Sequence, residues 1–242
     1  MIMQKLPLEI LPQPDDETCG PTCLHAIYNY YGDQISIDQV IDEVRCVDTG
    51  GTLAVHLGNH ALKRGYKADI FTNNLHMFDP TWFKGKGVSL KQKLLAQAKH
   101  KRSDRFKNAT SGYLSFLENG GEIHFAPITR KLIRMYLQHE KPILAGLSAT
   151  YLYDTAREVP ETNEYHDVKG VPSGHFVVLR GYDLLRKKVM IADPYHSNPL
   201  FKKHYYSVNI NRLIHAILLG IVTFDSNLLV IEPAESSVLQ EN

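Results

Sequence analysis

The sequence predicts an α+β fold in which a helical N-terminal part packs on a strand-rich C-terminal half. Over the first third of the chain, apolar residues recur three and four positions apart, the spacing of one buried helix face. From residue 142 onward they gather in short runs separated by polar turns, which is typical of buried strands. A chain of 242 residues can bury one core before it divides, so we expect one domain over residues 1–242.

Capping residues set the expected helix boundaries. Pro21 suits a first helical turn, where its missing N–H costs nothing, and Gly32 and Gly65 can end helices. Ser36 and Gln39 have the spacing of a capping box. The predicted helices are 21–31, one that begins after Ser36, 52–64, 89–101, 110–118, 129–139 and one capped by Asn209 that runs to Leu219.

Alternation and short apolar runs indicate the strands. The predicted strands are 66–71, 122–126, 142–147, 174–182, 187–193, 221–224 and 228–232. Because the runs 174–182 and 187–193 are joined by a short polar turn, we expect them to form an antiparallel hairpin. The tail from Pro233 should be loose.

A basic helical insertion is predicted at about residues 84–108. Between Lys84 and Lys107 the chain has nine lysines and arginines and one acidic residue, Asp104. We interpret this segment as a solvated helical face, and a site for an acidic partner or peptide is the alternative.

The overall composition excludes several classes of partner. With 27 Lys+Arg against 26 Asp+Glu, no net charge attracts nucleic acid or an anionic membrane. No run approaches the ~18 apolar residues of a membrane span, and the first residues do not have the pattern of a signal peptide. Three cysteines without paired spacing indicate a reducing compartment, so we expect a cytoplasmic protein. The sequence specifies no oligomeric state.

We expect neither a metal nor a cofactor. His56 and His60 lie one helical turn apart, but no glutamate lies between them and no third ligand has a matching spacing. The chain also lacks the phosphate-binding GxxxxGK[ST] loop.

Cys19 is the candidate nucleophile. A thiol is mostly protonated near neutral pH, so a nucleophilic cysteine needs a positive environment. Cys19 lies just before Pro21, at a predicted helix N-terminus whose unpaired amides favour a thiolate. Cys23 should face the core from the same helix, and Cys46 lies in a loop, so we expect both to be structural.

His175 and Asp193 are the candidate base and its orienting carboxylate. In the predicted hairpin, a turn centred near residue 184 places His175 directly opposite Asp193. Asp193 could then hold the imidazole tautomer and stabilise an imidazolium beside the Cys19 thiolate. Gln13, six residues before Cys19 in a proline-flanked loop, could donate its side-chain amide to an oxyanion.

Two further features near these residues have alternatives. His166 and Asp167 could form a rival base pair, but they lie in a long polar stretch, and we interpret them as loop residues. That stretch, 154–173, is a candidate lid or substrate-binding flap, or else a mobile surface loop. Tyr151 and Tyr153, just before it, could line the cleft or pack in the core.

Four sequence elements together resemble the papain-like C39 peptidase family, and more closely its stand-alone C39-like branch. They are Gln13, the Cys19-Gly-Pro run, the Gly-His175-Phe-Val-Val-Leu strand and the Asp193-Pro ending. The resemblance implies a papain-like α+β fold, with the cysteine on the helical part and the histidine and aspartate on an antiparallel sheet. It also implies that Cys19, His175, Asp193 and Gln13 are the catalytic residues.

The function expected on this basis is that of a cysteine peptidase acting on a peptide or protein. Family members fused to bacteriocin ABC exporters cleave leader peptides after a double glycine, and some stand-alone relatives are associated with peptide-modifying enzymes. Two alternatives remain open at this stage. One is a papain-like acyltransferase, in which an amine or thiol replaces water, and the other is a catalytically silent peptide-binding module.

Overall fold

The computed structural model describes residues 2–44, 51–85 and 87–234. The helices are α1 Cys19–Tyr30, α2 Ile37–Glu43, α3 Ala54–Lys63, α4 Leu90–Ala98, α5 Asp104–Glu118, α6 Arg130–Gln138, α7 Ala149–Tyr153 and α8 Ile210–Leu219. The strands are β1 Met3–Lys5, β2 Tyr66–Thr72, β3 Glu122–His124, β4 Ile143–Ser148, β5 Glu158–Val159, β6 Glu164–Tyr165, β7 Gly174–Asp183, β8 Lys188–Ala192, β9 Tyr205–Asn209 and β10 Asn227–Pro233.

One mixed sheet forms the centre of the molecule. Its strand order is β3-β2-β10-β4-β7-β8-β9, and β1 pairs with the far end of β7. All of these pairs are antiparallel except β2 with β3. The strands β5 and β6 form a separate two-stranded hairpin. The α+β class and the antiparallel pairing of 174–182 with 187–193 are therefore confirmed.

Helices cover both faces of the sheet, which is why its central strands are apolar at almost every position. Side chains alternate along β7, so Phe176 and Val178 join one buried cluster while Val177 and Leu179 join the other. The first cluster contains residues of α1, α3 and α5, and the second contains residues of α6, α7 and α8. The helix that begins at Cys19 therefore packs on the Phe176 face of the strand that carries His175.

The capping signals gave most helix ends correctly. The Ser36 hydroxyl accepts a hydrogen bond from the Gln39 amide at 3.1 Å, although the Gln39 side chain binds Glu43 and does not return to Ser36. Gly32 and Gly65 both adopt the left-handed conformation, with φ of +80° and +83°, as C-terminal glycines commonly do. Asn209 accepts a hydrogen bond from the amide of Asn211 at 2.9 Å and so caps α8.

The strand predicted over 221–224 was wrong. Residues Gly220–Thr223 form a short 3-10 helix, and Phe224 is left-handed with φ of 67°. The chain has to reverse between α8 and β10, and the amide of Asp225 closes that turn on the carbonyl of Gly220 at 2.8 Å. The elements β1, β5, β6, β9 and α7 were not predicted. They are short, and tertiary pairing more than local pattern determines segments of that length.

The basic segment is anchored by apolar side chains. Leu94 of α4 and Phe106 of α5 are buried in the first cluster. Some charged side chains point outward, as in the exposed ion pairs Lys91–Glu118 and Lys107–Asp104, whereas the guanidinium of Arg105 lies over Phe224 and donates to the carbonyl of Thr223. The helix predicted over 110–118 begins earlier, at Asp104, because Ser103 caps it.

Gly20→Ala tests the close approach of α1 to its neighbours. A Cβ atom at residue 20 would lie 2.7 Å from Cγ2 of Thr52 and 3.2 Å from both Leu57 and Phe176. Overpacking of this kind destabilises a protein by ~1–3 kcal/mol. Replacing glycine with alanine in a helix stabilises it by at most ~1 kcal/mol. We expect a net loss of about 1 kcal/mol in the free energy of unfolding, measured by denaturant titration.

The control for this substitution is a second change at the point of contact. Thr52→Ser removes the methyl group that the new Cβ would meet and keeps the hydroxyl, so the Gly20→Ala, Thr52→Ser protein should recover part of the loss. A Gly20→Ala protein as stable as the wild type would contradict the packing argument.

Candidate active site

Cys19 is the first residue of α1 and is half-buried. The preceding residue, Thr18, makes no side-chain cap to the helix, and the first turn contains no acidic residue. Unpaired amides at a helix N-terminus carry partial positive charge. Cys19 therefore lies at a helix N-terminus, the position in which the sequence predicted it.

Cys23 lies one helical turn further on in a different environment. It is fully buried, and its thiol donates a hydrogen bond to the carbonyl of Phe176 at 3.3 Å. Burial raises the pKa of the Cys23 thiol well above its ordinary value, and the charges of Cys19 and Asp193 raise it further. Cys23 is thus a core residue that fastens α1 to β7, as predicted. Cys46 lies outside the described residues.

His175 and Asp193 are in contact. The Nε2 atom of His175 lies 2.9 Å from Oδ1 of Asp193, and both residues are buried. The Cys19 side chain lies close enough to the imidazole to raise the pKa of His175. The three side chains that the sequence singled out, separated by more than 150 positions between Cys19 and His175, therefore meet in one place.

The register that brings them together differs from the predicted one. Val178 pairs with Ala192, so Asp193 falls opposite position 177 instead of position 175. The turn spans four residues between Asp183 and Lys188, and a β-bulge between Leu179 and Gly181 shifts the pairing again. The direct cross-strand pair was thus wrong. Its members still contact because diagonal neighbours on one face are within reach of long side chains.

The Asp193 carboxylate is surrounded by hydrogen-bond donors. Oδ2 accepts from the hydroxyl of Tyr153 at 2.8 Å and from the hydroxyl of Tyr206. Oδ1 accepts from the amide of Tyr195 at 2.9 Å in addition to His175. The side chain is 0% exposed, so these four bonds replace the water that the carboxylate loses on burial.

Burial and neighbouring charge act in opposite directions on the pKa values of His175 and Asp193. Burial by itself lowers the pKa of His175, but the charges of Asp193 and Cys19 outweigh it and raise that pKa to about 10. Burial by itself raises the pKa of Asp193, but the charge and hydrogen bond of His175 and the two tyrosine hydroxyls leave it below its ordinary value. The pair therefore favours a carboxylate and an imidazolium.

Tyrosine rings enclose the imidazole. The ring centroids of Tyr153 and Tyr195 lie 5.9 Å and 6.4 Å from that of His175. Tyr153 packs in the core, one of the two positions predicted for it, and its hydroxyl donates to Asp193, whereas Tyr151 is 40% exposed. Sequence reasoning missed the contribution of Tyr206. A tyrosine on an unpredicted strand gives no local signal of a contact with a distant aspartate.

Gln13 is anchored beside Asp193 by its main chain. Its amide N–H donates to the carbonyl of Pro194 at 3.1 Å, which joins the loop before Cys19 to the end of β8. The side-chain amide nitrogen donates to the carbonyl of Asp15 at 2.7 Å, and its Oε1 atom is buried without a hydrogen-bond partner. One N–H of this amide therefore stiffens the loop, and the second remains for another acceptor.

The long polar stretch 154–173 forms a hairpin across the site. Its strands are β5 and β6, and its tip residue Asn163 donates to Asp16, in the loop before Cys19, at 2.9 Å. His166 accepts hydrogen bonds from the amides of Val168 and Lys169, so it belongs to a turn, as interpreted from the sequence. This hairpin spans from the end of α7 to the loop that carries Gln13.

His56 and His60, whose spacing in the sequence resembles that of two metal ligands, have separate hydrogen-bond partners. His56 binds Asn108 at 2.6 Å, and His60 binds both Tyr28 and Glu43. Among the described residues, the three side chains Asp69, Glu122 and His124 bring ligand atoms within 4.8 Å of one another. They lie on β2 and β3, at the other end of the sheet, and His124 already binds Asp69. None of the described helices combines the length and apolar character needed to cross a bilayer.

Several solved structures are similar to this chain over most of its length. A protein from Bacillus anthracis described as a C39-like peptidase is 15% identical over 96% of this chain and 98% of its own, with a TM-score of 0.54. The peptidase domain of Streptococcus ComA, a bifunctional ABC transporter of a quorum-sensing pathway, is 13% identical over 94% and 99%, with a TM-score of 0.44. Xylellain, a cysteine protease from Xylella fastidiosa, is 14% identical over 97% and 87%, with a TM-score of 0.43.

The first of these structures supports the papain-like α+β fold predicted from the sequence. None of the curated proteins matches the chain. The model of the Peptidase_C39 like family matches residues 5–212, which is most of the chain. The chain therefore belongs to the C39-like peptidase family.

Proposed function

We propose that this protein is a cysteine peptidase that hydrolyses a peptide or amide bond in a peptide or protein substrate. Cys19 is the nucleophile, His175 the general base and acid, Asp193 the residue that orients His175, and Gln13 the oxyanion donor. The observation that carries this proposal is the buried His175–Asp193 hydrogen bond, with the Cys19 side chain close enough to the same imidazole to raise its pKa. A thiol, a base and an orienting acid in this order form the general pattern of an activated nucleophile.

The chemistry proceeds in two halves. The Cys19 thiolate attacks the substrate carbonyl carbon, and the resulting oxyanion accepts hydrogen bonds from Gln13 and from the backbone amide of Cys19. His175 gives its proton to the departing amine, and a thioester to Cys19 remains. His175 then takes a proton from water as the water attacks, and collapse of the second oxyanion releases the acid and the Cys19 thiolate.

The surroundings of the site support these roles. The Asp193 carboxylate stabilises the imidazolium of His175 in the ground state. The hydroxyls of Tyr153 and Tyr206 donate to this carboxylate and favour its ionised form. The hairpin 154–173 and the loop 13–19 flank the site, and we propose that the substrate passes between them. Cys19 and Cys23 are both free thiols, which fits a reducing, cytoplasmic location.

Cys19→Ala should abolish turnover and leave the fold intact. The measurement is mass spectrometry of a library of short peptides incubated with wild-type and variant protein. Cys23→Ala is the matched control, since it removes the other thiol of the same helix, and it should retain cleavage. Cleavage that persists in the Cys19→Ala protein would refute the nucleophile assignment. Products heavier than the substrate would indicate acyl transfer instead of hydrolysis.

Gln13→Ala should lower kcat by about 100- to 1,000-fold with little change in KM, because an oxyanion donor acts mainly in the transition state. Steady-state kinetics on a peptide identified with the wild type provides the measurement. Glu17→Ala changes an exposed residue of the same loop and should have a small effect. An equal loss in both variants would indicate that loop disorder, and not the missing donor, is responsible.

Asp193→Asn should move the alkaline limb of the pH–activity profile to lower pH. The active ion pair is lost when His175 loses its proton, and the pKa of His175 is about 10 with Asp193 present. Removing a contacting carboxylate lowers that pKa by more than ~1 unit. The stability that this raised pKa contributes is present below the ordinary histidine pKa and is lost as pH rises through about 10.

The pH profile can be measured without a known substrate. Iodoacetate is an anion, so its reaction with the Cys19 thiolate is favoured by the neighbouring imidazolium and falls when that group deprotonates. An alkaline limb at the same pH in the wild type and in Asp193→Asn would show that Asp193 does not control His175.

A further inference from the structure

Asp225 is a buried carboxyl that the proposed mechanism leaves unused. It lies between the 3-10 helix Gly220–Thr223 and β10, and it is 4% exposed. Burial of a carboxylate is costly unless charges or hydrogen bonds compensate for it. A single buried acid next to a reactive site is therefore a residue whose role has to be explained.

Two glycines let this carboxyl approach the start of β7. A Cβ atom on Gly174 would lie 2.6 Å from Oδ2 of Asp225, and one on Gly146 would lie 3.1 Å from the Asp225 Cβ. Gly174 is exposed and immediately precedes His175. Since neighbouring strand residues point to opposite faces, Asp225 lies on the Gly174 face, across the strand backbone from the imidazole.

The Asp225 carboxyl has few partners. Its Oδ1 atom is buried without a hydrogen-bond partner, in contrast to both oxygens of Asp193. Arg105 is near, but its Nη2 atom donates to the carbonyl of Thr223 at 2.6 Å, and its guanidinium stacks over Phe224. The described residues contain no ion pair that includes Asp225.

The groups that act on this carboxyl come from three elements. Arg105 and Tyr113 lie on α5, Thr223 in the 3-10 helix and His175 on β7. Burial raises the pKa of Asp225 to about 7, although the charge of Arg105, a hydrogen bond from Thr223 and the charge of His175 all lower it. Because such coupling is reciprocal, an ionised Asp225 favours the imidazolium form of His175 to the same extent.

We propose that Asp225 is a positioning residue of the active site, a second carboxyl that supports the His175 imidazolium through space. Asp193 holds the imidazole by direct contact and stays ionised. Asp225 adds negative charge behind the strand and gains or loses its proton close to neutral pH. The protein thereby couples the charge of its reactive pair to solution pH. This inference rests on the proposed function, because it requires Cys19 and His175 to form that pair.

The test is the rate of Cys19 carboxymethylation by iodoacetate as a function of pH, followed by peptide mass spectrometry. Asp225→Asn keeps the shape of the side chain and removes its charge. Asp225 carries its negative charge only above about pH 7, so removing that charge should move the alkaline limb to lower pH, by roughly half to one unit for a charge that is not in contact, and should leave an acid limb below pH 7 in place. The wild-type profile should also contain an inflection near pH 7 that the variant lacks.

The matched control is Asp69→Asn. Asp69 also pairs with a histidine, His124, but at the β3 end of the sheet, so the same loss of charge there should leave the profile unchanged. Asp225→Ala is the second variant if Asp225→Asn does not fold. It should shift the alkaline limb in the same direction.

The outcomes separate this inference from the proposed function. A bell-shaped wild-type profile that Asp225→Asn reproduces without a shift overturns the role of Asp225 alone. The same conclusion follows if Asp225→Asn unfolds at a lower temperature but has the wild-type pH profile. A purely structural role changes the stability of the protein and does not move the limbs of that profile. A wild-type Cys19 that reacts no faster than the buried Cys23 overturns the proposed peptidase and this inference with it.

Discussion

The hydrogen bond between Asp193 and His175 is the contact on which the rest of the site depends. A fully buried carboxylate has to be compensated, and here four donors come from separate parts of the fold. Tyr153 belongs to α7, His175 to β7, Tyr206 to β9, and Tyr195 to the segment after β8. The requirement to satisfy one side chain thus fixes the relative positions of four segments, and an error in any of them would leave an uncompensated charge.

The cysteine reaches this pair because α1 is docked closely on β7. Gly20 lacks the side chain that would hold the helix away from Thr52 and Phe176, and the Cys23 thiol binds the carbonyl of Phe176. The Gln13 amide bound to Pro194 adds a second connection, from the loop before the helix to the residue after Asp193. Small residues and main-chain bonds therefore bring the helix N-terminus to the sheet.

The sequence predicted what local rules determine, and it missed several features that distant contacts determine. Caps at Ser36 and Asn209 were found because their partners lie within three residues. The hairpin register failed because a bulge and a four-residue turn leave no periodic signal. Tyr206 could not be assigned at all, since its hydroxyl is useful only once β9 has paired with β8.

The two buried aspartates differ in the charges and hydrogen-bond donors that surround them, although burial acts on both in the same direction. Both lie almost out of contact with solvent, at 0% and 4% exposure. Asp193 accepts four hydrogen bonds and has a pKa below its ordinary value, whereas Asp225 has an unpaired oxygen and a pKa of about 7. Burial raises both pKa values, so the difference comes from the charge of His175 in contact with Asp193 and from the hydrogen-bond donors around each carboxylate. One fold therefore holds a permanent charge in contact with His175 and a titratable charge behind it, and this is the separation of environments by which enzymes give identical side chains different roles.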